Sequence, residues 1–167
     1  TALTGIDAIA HALETYVTRT RNPVSLAFSR EAWLLLGHNF SKVLADPSDI
    51  EARAGMQLGA CFAGLALENS MLGATHALAN PLTAHFGIVH GQAIGLMLPH
   101  VIRFNGAQFG DWYRDLLEGT GGTNGFPPPE SGHNGLAEFV SQLASQAGLP
   151  HRLSQCGVSE DKLPLMA

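Results

Sequence analysis

The residues of this chain best suited to chemistry are an aspartate and a few histidines. In "TGIDAIAHALETYV", Asp7 and His11 are four residues apart, so on a helix they lie one turn apart on the same face. A carboxylate oxygen and an imidazole nitrogen there can point at one ion, or simply pair with each other. Ile6, Ile9 and Leu13 place the carboxylate beside a core, where a charge is costly unless something compensates it. A second segment, "HALANPLTAHFGIVHG", adds His76, His85 and His90. On one continuous helix His76 and His90 would stand about 21 Å apart, too far to share an ion. The chain must therefore turn if they cooperate. Asn80-Pro81 and Gly87 offer the means, because the residue before proline is driven out of the α region and glycine permits turns.

With His76 near the end of one helix and His90 at the start of the next, the two imidazoles can converge across a helix-loop-helix corner. His90 has an alternative use, satisfying backbone groups or an anion at a helix N-terminus. His85 is assigned to the loop, with a structural role, and His38, His100, His133 and His151 read as surface or structural residues. Asp7, His11, His76 and His90 would make a donor set of three nitrogens and one oxygen. That set suits Fe(II), accepts zinc, and is poor for copper(I) or calcium. Four protein ligands on an ion that takes five or six leave room for a substrate oxygen.

The elements that must carry these groups are helices. Apolar residues recur at Ile6, Ile9, Ala10, Leu13, Tyr16 and Val17, with Thr4 as N-cap. Asn22-Pro23 opens a second helix that Asp46-Pro47 stops, and Ser48 caps a third running from Asp49 to Ala79, so rich in Gly and Ala that it is expected in the middle of a bundle at close helix-helix approach. An irregular stretch is expected after Asn80-Pro81, then a helix from His90 with a kink or break at Pro99, and a short helix over "GDWYRDLLEG". "TGGTNGFPPPESGHNG" reads as an exposed loop and "LAEFVSQLASQAG" as a helix closed by Gly148. "SEDKLPLMA" looks like one more helix starting, capped by Ser159. No alternating β-branched runs occur, so the fold class is all-α.

Composition narrows the function. The chain has 167 residues, 46% hydrophobic and 14% charged, which fits one domain with a real core. A net charge of -5 with nine Lys plus Arg supplies no basic stripe for nucleic acid. No apolar run reaches the roughly 18 to 20 residues that span a bilayer. Cys61 and Cys156 form no CxxC pattern, which argues against a disulfide framework and for a reducing cytoplasm. "EGTGGTNG" follows a helix and runs into "FPPPES", so it is rejected as a phosphate loop, and no βαβ unit is visible to hold a dinucleotide. The first residue is not Met and the last segment reads as an unfinished helix, so a piece of a longer polypeptide is expected.

"TGIDAIAHALETYV", "NPVSLAFSREAWLLL" and "EARAGMQLGACFAGLALENSMLGATHALANPLTAHFGIVHGQAIGLMLPHVIRFN" together resemble the C-terminal helical domain of the iron-containing (group III) alcohol dehydrogenases, strongly over about residues 1 to 105 and weakly beyond. The resemblance implies a helical bundle of the dehydroquinate synthase-like type spanning residues 1–167. Asp7, His11, His76 and His90 then stand at the family's four metal-ligand positions. It further implies Fe(II), or zinc, and NAD or NADP bound mainly by an N-terminal nucleotide-binding domain absent from this chain. The implied reaction is hydride transfer between an alcohol or aldehyde and NAD(P), with the alkoxide held on Fe(II). The expected partners are a small-molecule alcohol or aldehyde, that N-terminal domain and further copies of the protein, with neither nucleic acid nor membrane. Many relatives carry "HALAH" where this chain has "HALAN", so Asn80 is the candidate catalytic residue of the cleft and cannot titrate. Two rival readings are a metal-dependent lyase resembling dehydroquinate synthase and a non-catalytic metal-binding helical module. The scarcity of Lys and Arg near the ligands argues against the phosphorylated substrate of the first. The isolated chain is expected to turn over nothing and to self-associate through apolar surface.

Overall fold

A computed structural model describes residues 1–121 and 125–166, the side chains of residues 165 and 166 excepted. Its helices are α1 (Ala2–Val17), α2 (Pro23–Ala45), α3 (Ile50–Glu68), α4 (Ala74–Phe86), α5 (His90–Glu118), α6 (Gly132–Gln146) and α7 (Leu163–Met166), with 3-10 turns before α6 and α7. No strand occurs among the described residues, and the class is all-α. Residues 122–124, near the start of the expected exposed loop, lie outside the described residues. The loop is not all exposed: Phe126 is half-buried against Trp33, ring centroids 5.0 Å apart.

α1 is the hub. Its apolar face (Ile6, Ile9, Ala10, Leu13, Tyr16) is buried, and the helix packs on α2, α3 and α5. α5 in turn carries α4 and α6. The core between them is filled by Trp33, Leu36 and Phe40 of α2, Ile94, Leu98 and Ile102 of α5, and Leu136, Val140 and Leu143 of α6. Burial at 3- and 4-residue steps along each helix is what joins them into one core.

Several boundaries differ from the sequence reading. α1 starts at Ala2 with Thr1 as N-cap, because Gly5 N–H already bonds to Thr1 O at 2.7 Å and Thr4 lies inside the helix. α2 begins at Asn22-Pro23 as expected, the Asn22 side chain accepting from Val24 and Ser25 N–H. Asp49, not Ser48, caps α3: its Oδ1 accepts Ala52 N–H at 2.9 Å, while Ser48 is turned toward Asp46 Oδ1. The expected long third helix is two. Asn69 and Ser70 side chains donate to Leu65 O and Ala66 O, competing with the backbone ladder where α3 ends.

α3 also lies at the margin instead of the middle. It buries one face (Ala52, Met56, Gly59, Ala63, Ala66) and leaves Leu58 and Leu65 exposed. The close approach to α2 is real: a Cβ on Gly59 would fall 2.8 Å from Leu36 Cγ. Pro99 neither breaks α5 nor divides it; the non-helical residue is Phe109, φ -122° and ψ 27°, after which "GDWYRDLLEG" continues as the helix's last part. α6 starts at Gly132, earlier than expected, and Gly148 follows it with φ 70°.

Candidate metal centre

The corner that brings the histidines together is not at Asn80-Pro81. α4 runs through Pro81 to Phe86, and the chain turns at Gly87, whose φ of 64° places it in the left-handed region. Proline forfeits one hydrogen bond inside α4, but Ala79 and Leu82 on either side of it are buried and hold the helix. Residues 87–89 then lead into α5, which opens with His90. The next residue decides how near α5 comes to α1. A Cβ on Gly91 would sit 2.3 Å from Leu3 O, so only glycine lets the two backbones meet there.

The result is a cluster around one oxygen. Asp7 Oδ1 lies 3.3 Å from His76 Nε2, 3.5 Å from His90 Nε2 and 3.6 Å from His11 Nε2. The ligand atoms of Asp7, His76 and His90 are all within 4.8 Å of one another. His11 joins through Asp7, and its ring centroid is 4.8 Å from that of His76. Donors about 2.0–2.2 Å from a common ion stand about 3.0–3.5 Å from their neighbours, the separation Asp7 keeps from His76 and His90, with His11 at 3.6 Å just beyond it. His76 is buried, His11 and Asp7 are about three-quarters covered, and His90 is the most open, at 39% exposure.

A fifth group was not anticipated from the sequence. Glu14, seven residues after Asp7 on the same face of α1, is buried at 3% exposure. His76 Nδ1 donates to its Oε2 at 2.6 Å, and Thr75 N–H donates to its Oε1 at 2.6 Å. The signal was present in the spacing: Glu14 follows His11 by three residues and stands between Leu13 and Thr15, both buried.

Charge in the cluster is balanced internally. Burial pushes Asp7 up, but hydrogen bonding from His76 and the charges of the three imidazoles leave its carboxyl below the ordinary value. Glu14 behaves alike, burial being outweighed by His76, Thr75 and the Gly73 backbone. Burial would lower His76, yet its bonds to Asp7 and Glu14 raise it to about 9. Burial lowers His11, with Asp7 opposing. Two carboxylates thus draw a proton onto His76, and a divalent cation among the same atoms would take over that compensation. The donor set and its charge fit such an ion.

The remaining histidines lie elsewhere. His85 is exposed on the last turn of α4, on the helix and not in a loop. His38 Nδ1 bonds to Leu34 O at 2.8 Å with its ring edge-on to Phe126. His133 lies over Gly106, His151 Nε2 pairs with Ser145 Oγ at 3.1 Å, and His100 is exposed. Asn80 is exposed on α4, one turn beyond His76.

Residues 1–167 match the profile of the Fe-containing alcohol dehydrogenase family, C-terminal. The chain belongs to this family. All of it aligns, at 33% identity, with the 1,3-propanediol dehydrogenase of Citrobacter freundii, of which it covers 43%. A solved 1,3-propanediol oxidoreductase superposes on 99% of the chain with a TM-score of 0.90 at 32% identity, covering 44% of that structure. The sulfoacetaldehyde reductase of Bifidobacterium kashiwanohense, solved in complex with NAD+, superposes on 99% of the chain with a TM-score of 0.83 at 25% identity, covering 42% of that structure. The chain therefore spans less than half the length of these relatives. Within the described residues, no helix is long and apolar enough to cross a membrane.

Proposed function

We propose that residues 1–167 are the metal-holding helical domain of an NAD(P)-dependent alcohol dehydrogenase, with nucleotide binding carried mainly by an N-terminal domain of the same polypeptide. The observation that supports this reading best is the convergence of three imidazole Nε2 atoms on Asp7 Oδ1 within 3.6 Å. Family membership favours oxidoreductase over lyase chemistry. Fe(II), or zinc, held by Asp7, His11, His76 and His90 would supply Lewis acidity to an alcohol or carbonyl oxygen. NAD(P), bound mainly by that N-terminal domain, would supply the hydride acceptor or donor for the carbon bearing that oxygen.

The residues of this chain do the rest. α1, α4 and α5 carry the four residues, and Ile6 and Ala10, which flank Asp7 and His11 in the chain, are fully buried. The open side is that of His90, where a small alcohol or aldehyde can approach. Exposed Val89 directly precedes His90 in the chain, and Asn80, one turn beyond His76 on α4, offers an amide that donates and accepts without titrating. Asn80 is the proposed cleft residue that adjusts substrate orientation.

The test is to strip the full-length polypeptide of metal and reload it with Fe(II) or zinc, following NAD(P)H-linked reduction of small aldehydes. Activity that returns with metal and disappears with chelator is expected. Turnover that persists in rigorously metal-free protein, or metal-loaded protein that is inert toward every short alcohol and aldehyde, overturns the reading. Replacing Asn80 with His is expected to change substrate preference and to add a pH-dependent limb to kcat/KM.

A further inference from the structure

Glu14 belongs to neither the donor set nor the substrate opening, and a buried carboxylate needs a reason. It makes two contacts at once. Its Oε1 accepts Thr75 N–H at 2.6 Å in the first turn of α4, a helix with no side-chain cap of its own. Its Oε2 accepts from His76 Nδ1 at 2.6 Å. Gly73 makes room for this arrangement, since a Cβ there would lie 2.9 Å from Glu14 Oε1. One carboxylate from α1 thus serves as the N-cap of α4 and fixes the ring of the histidine in that turn.

We propose that Glu14 is a positioning residue for the metal centre: by capping α4 and holding the proton of His76 on Nδ1, it presents Nε2 to the ion. This rests on the metal-centre reading above. A carboxylate can only accept, so it demands an N–H at His76 Nδ1, and the ring nitrogen left to face Asp7, His11 and His90 is Nε2. Glutamine in place of Glu14 keeps size and one acceptor. If that oxygen stays on Thr75 N–H, its NH2 group faces Nδ1, which must then accept, and the ring proton moves to the atom that should bind metal.

The test measures zinc affinity of the metal-stripped full chain by competition with a chromophoric chelator, for wild type and Glu14→Gln, with helix content checked by circular dichroism. A loss of about 10- to 100-fold in affinity at unchanged helix content is expected. Equal affinities overturn the positioning role while leaving the centre itself in place. Failure of the wild type to bind zinc overturns the centre, and the role with it. A second measurement does not depend on the variant folding: nitrogen-15 NMR of zinc-loaded wild type should find a protonated Nδ1 and a metal-shifted Nε2 at His76. The reverse assignment overturns the proposal.

Discussion

Two regions of this domain pack histidine rings at the same distance and use them differently. His11 stacks at 4.8 Å on His76 in the α1–α4–α5 corner, and His38 meets Phe126 at 4.8 Å at the aromatic end formed by α2 and α6. At the aromatic end Nδ1 of His38 bonds to a carbonyl of its own helix, beside Trp33 and Phe139. In the corner both nitrogens of His76 meet carboxylates from another helix. The distance between ring centroids does not separate the two sites. What faces the nitrogen atoms does: one region stores stability, and the other gathers charge around a point.

This contrast can be broken experimentally. The largest effect is expected from His76→Ala, which should lower kcat/KM of the metal-loaded full chain on the order of 10³-fold or more and reduce bound metal, while the aromatic end stays folded. Near-wild-type turnover would erase the distinction. Next, Trp33→Ala should cost about 3–5 kcal/mol in denaturant unfolding, because the indole is fully buried among Phe126 and Phe139. Zinc stoichiometry of the folded fraction should remain unchanged; if metal is lost with it, the two regions are not independent.

Gly91→Ala is a subtler probe. The new methyl would meet Leu3 O, so α5 must withdraw from α1 and carry His90 with it. A loss of about 1–3 kcal/mol in unfolding is expected, with weaker zinc binding in titration. The smallest effect concerns pH. His76 is raised from 6.5 to about 9, so its contribution to metal-free stability is full below about pH 6.5 and disappears as pH rises through about 9. Asp7 and Glu14, both lowered, contribute above the ordinary carboxylate range and lose that contribution in acid. Thermal unfolding of metal-free protein should therefore show a stability plateau between about pH 5 and 6.5, with a decline on the order of 1–2 kcal/mol between about pH 6.5 and 9. His76→Gln should remove the alkaline decline, and a decline that survives it would locate the cause elsewhere.

The all-helical class was legible because apolar residues recur at helical steps in every long element, and Asp7 with His11 was legible because i and i+4 share a face. The corner was misplaced for a physical reason. Proline before a loop and proline within a helix carry the same local signal, and only tertiary burial of Ala79 and Leu82 decides between them. Likewise, Gly and Ala in α3 signalled close approach but not which face approached, so the helix was expected inside the bundle. Glu14 escaped notice because a lone glutamate within a helix ordinarily faces water. Its partner, the first turn of α4, is sixty-one residues away in sequence and invisible to any local pattern.

The contact between Leu3 O and Gly91 has a consequence for variation. It joins the helices that carry Asp7 and His90 through main-chain atoms, so the spacing between these two residues owes little to the identity of neighbouring side chains. Exposed Asn80 and Val89 can then be exchanged without shifting Asp7 and His90. A frame joined through its main chain tolerates change in the side chains around it, a form well suited to diversification.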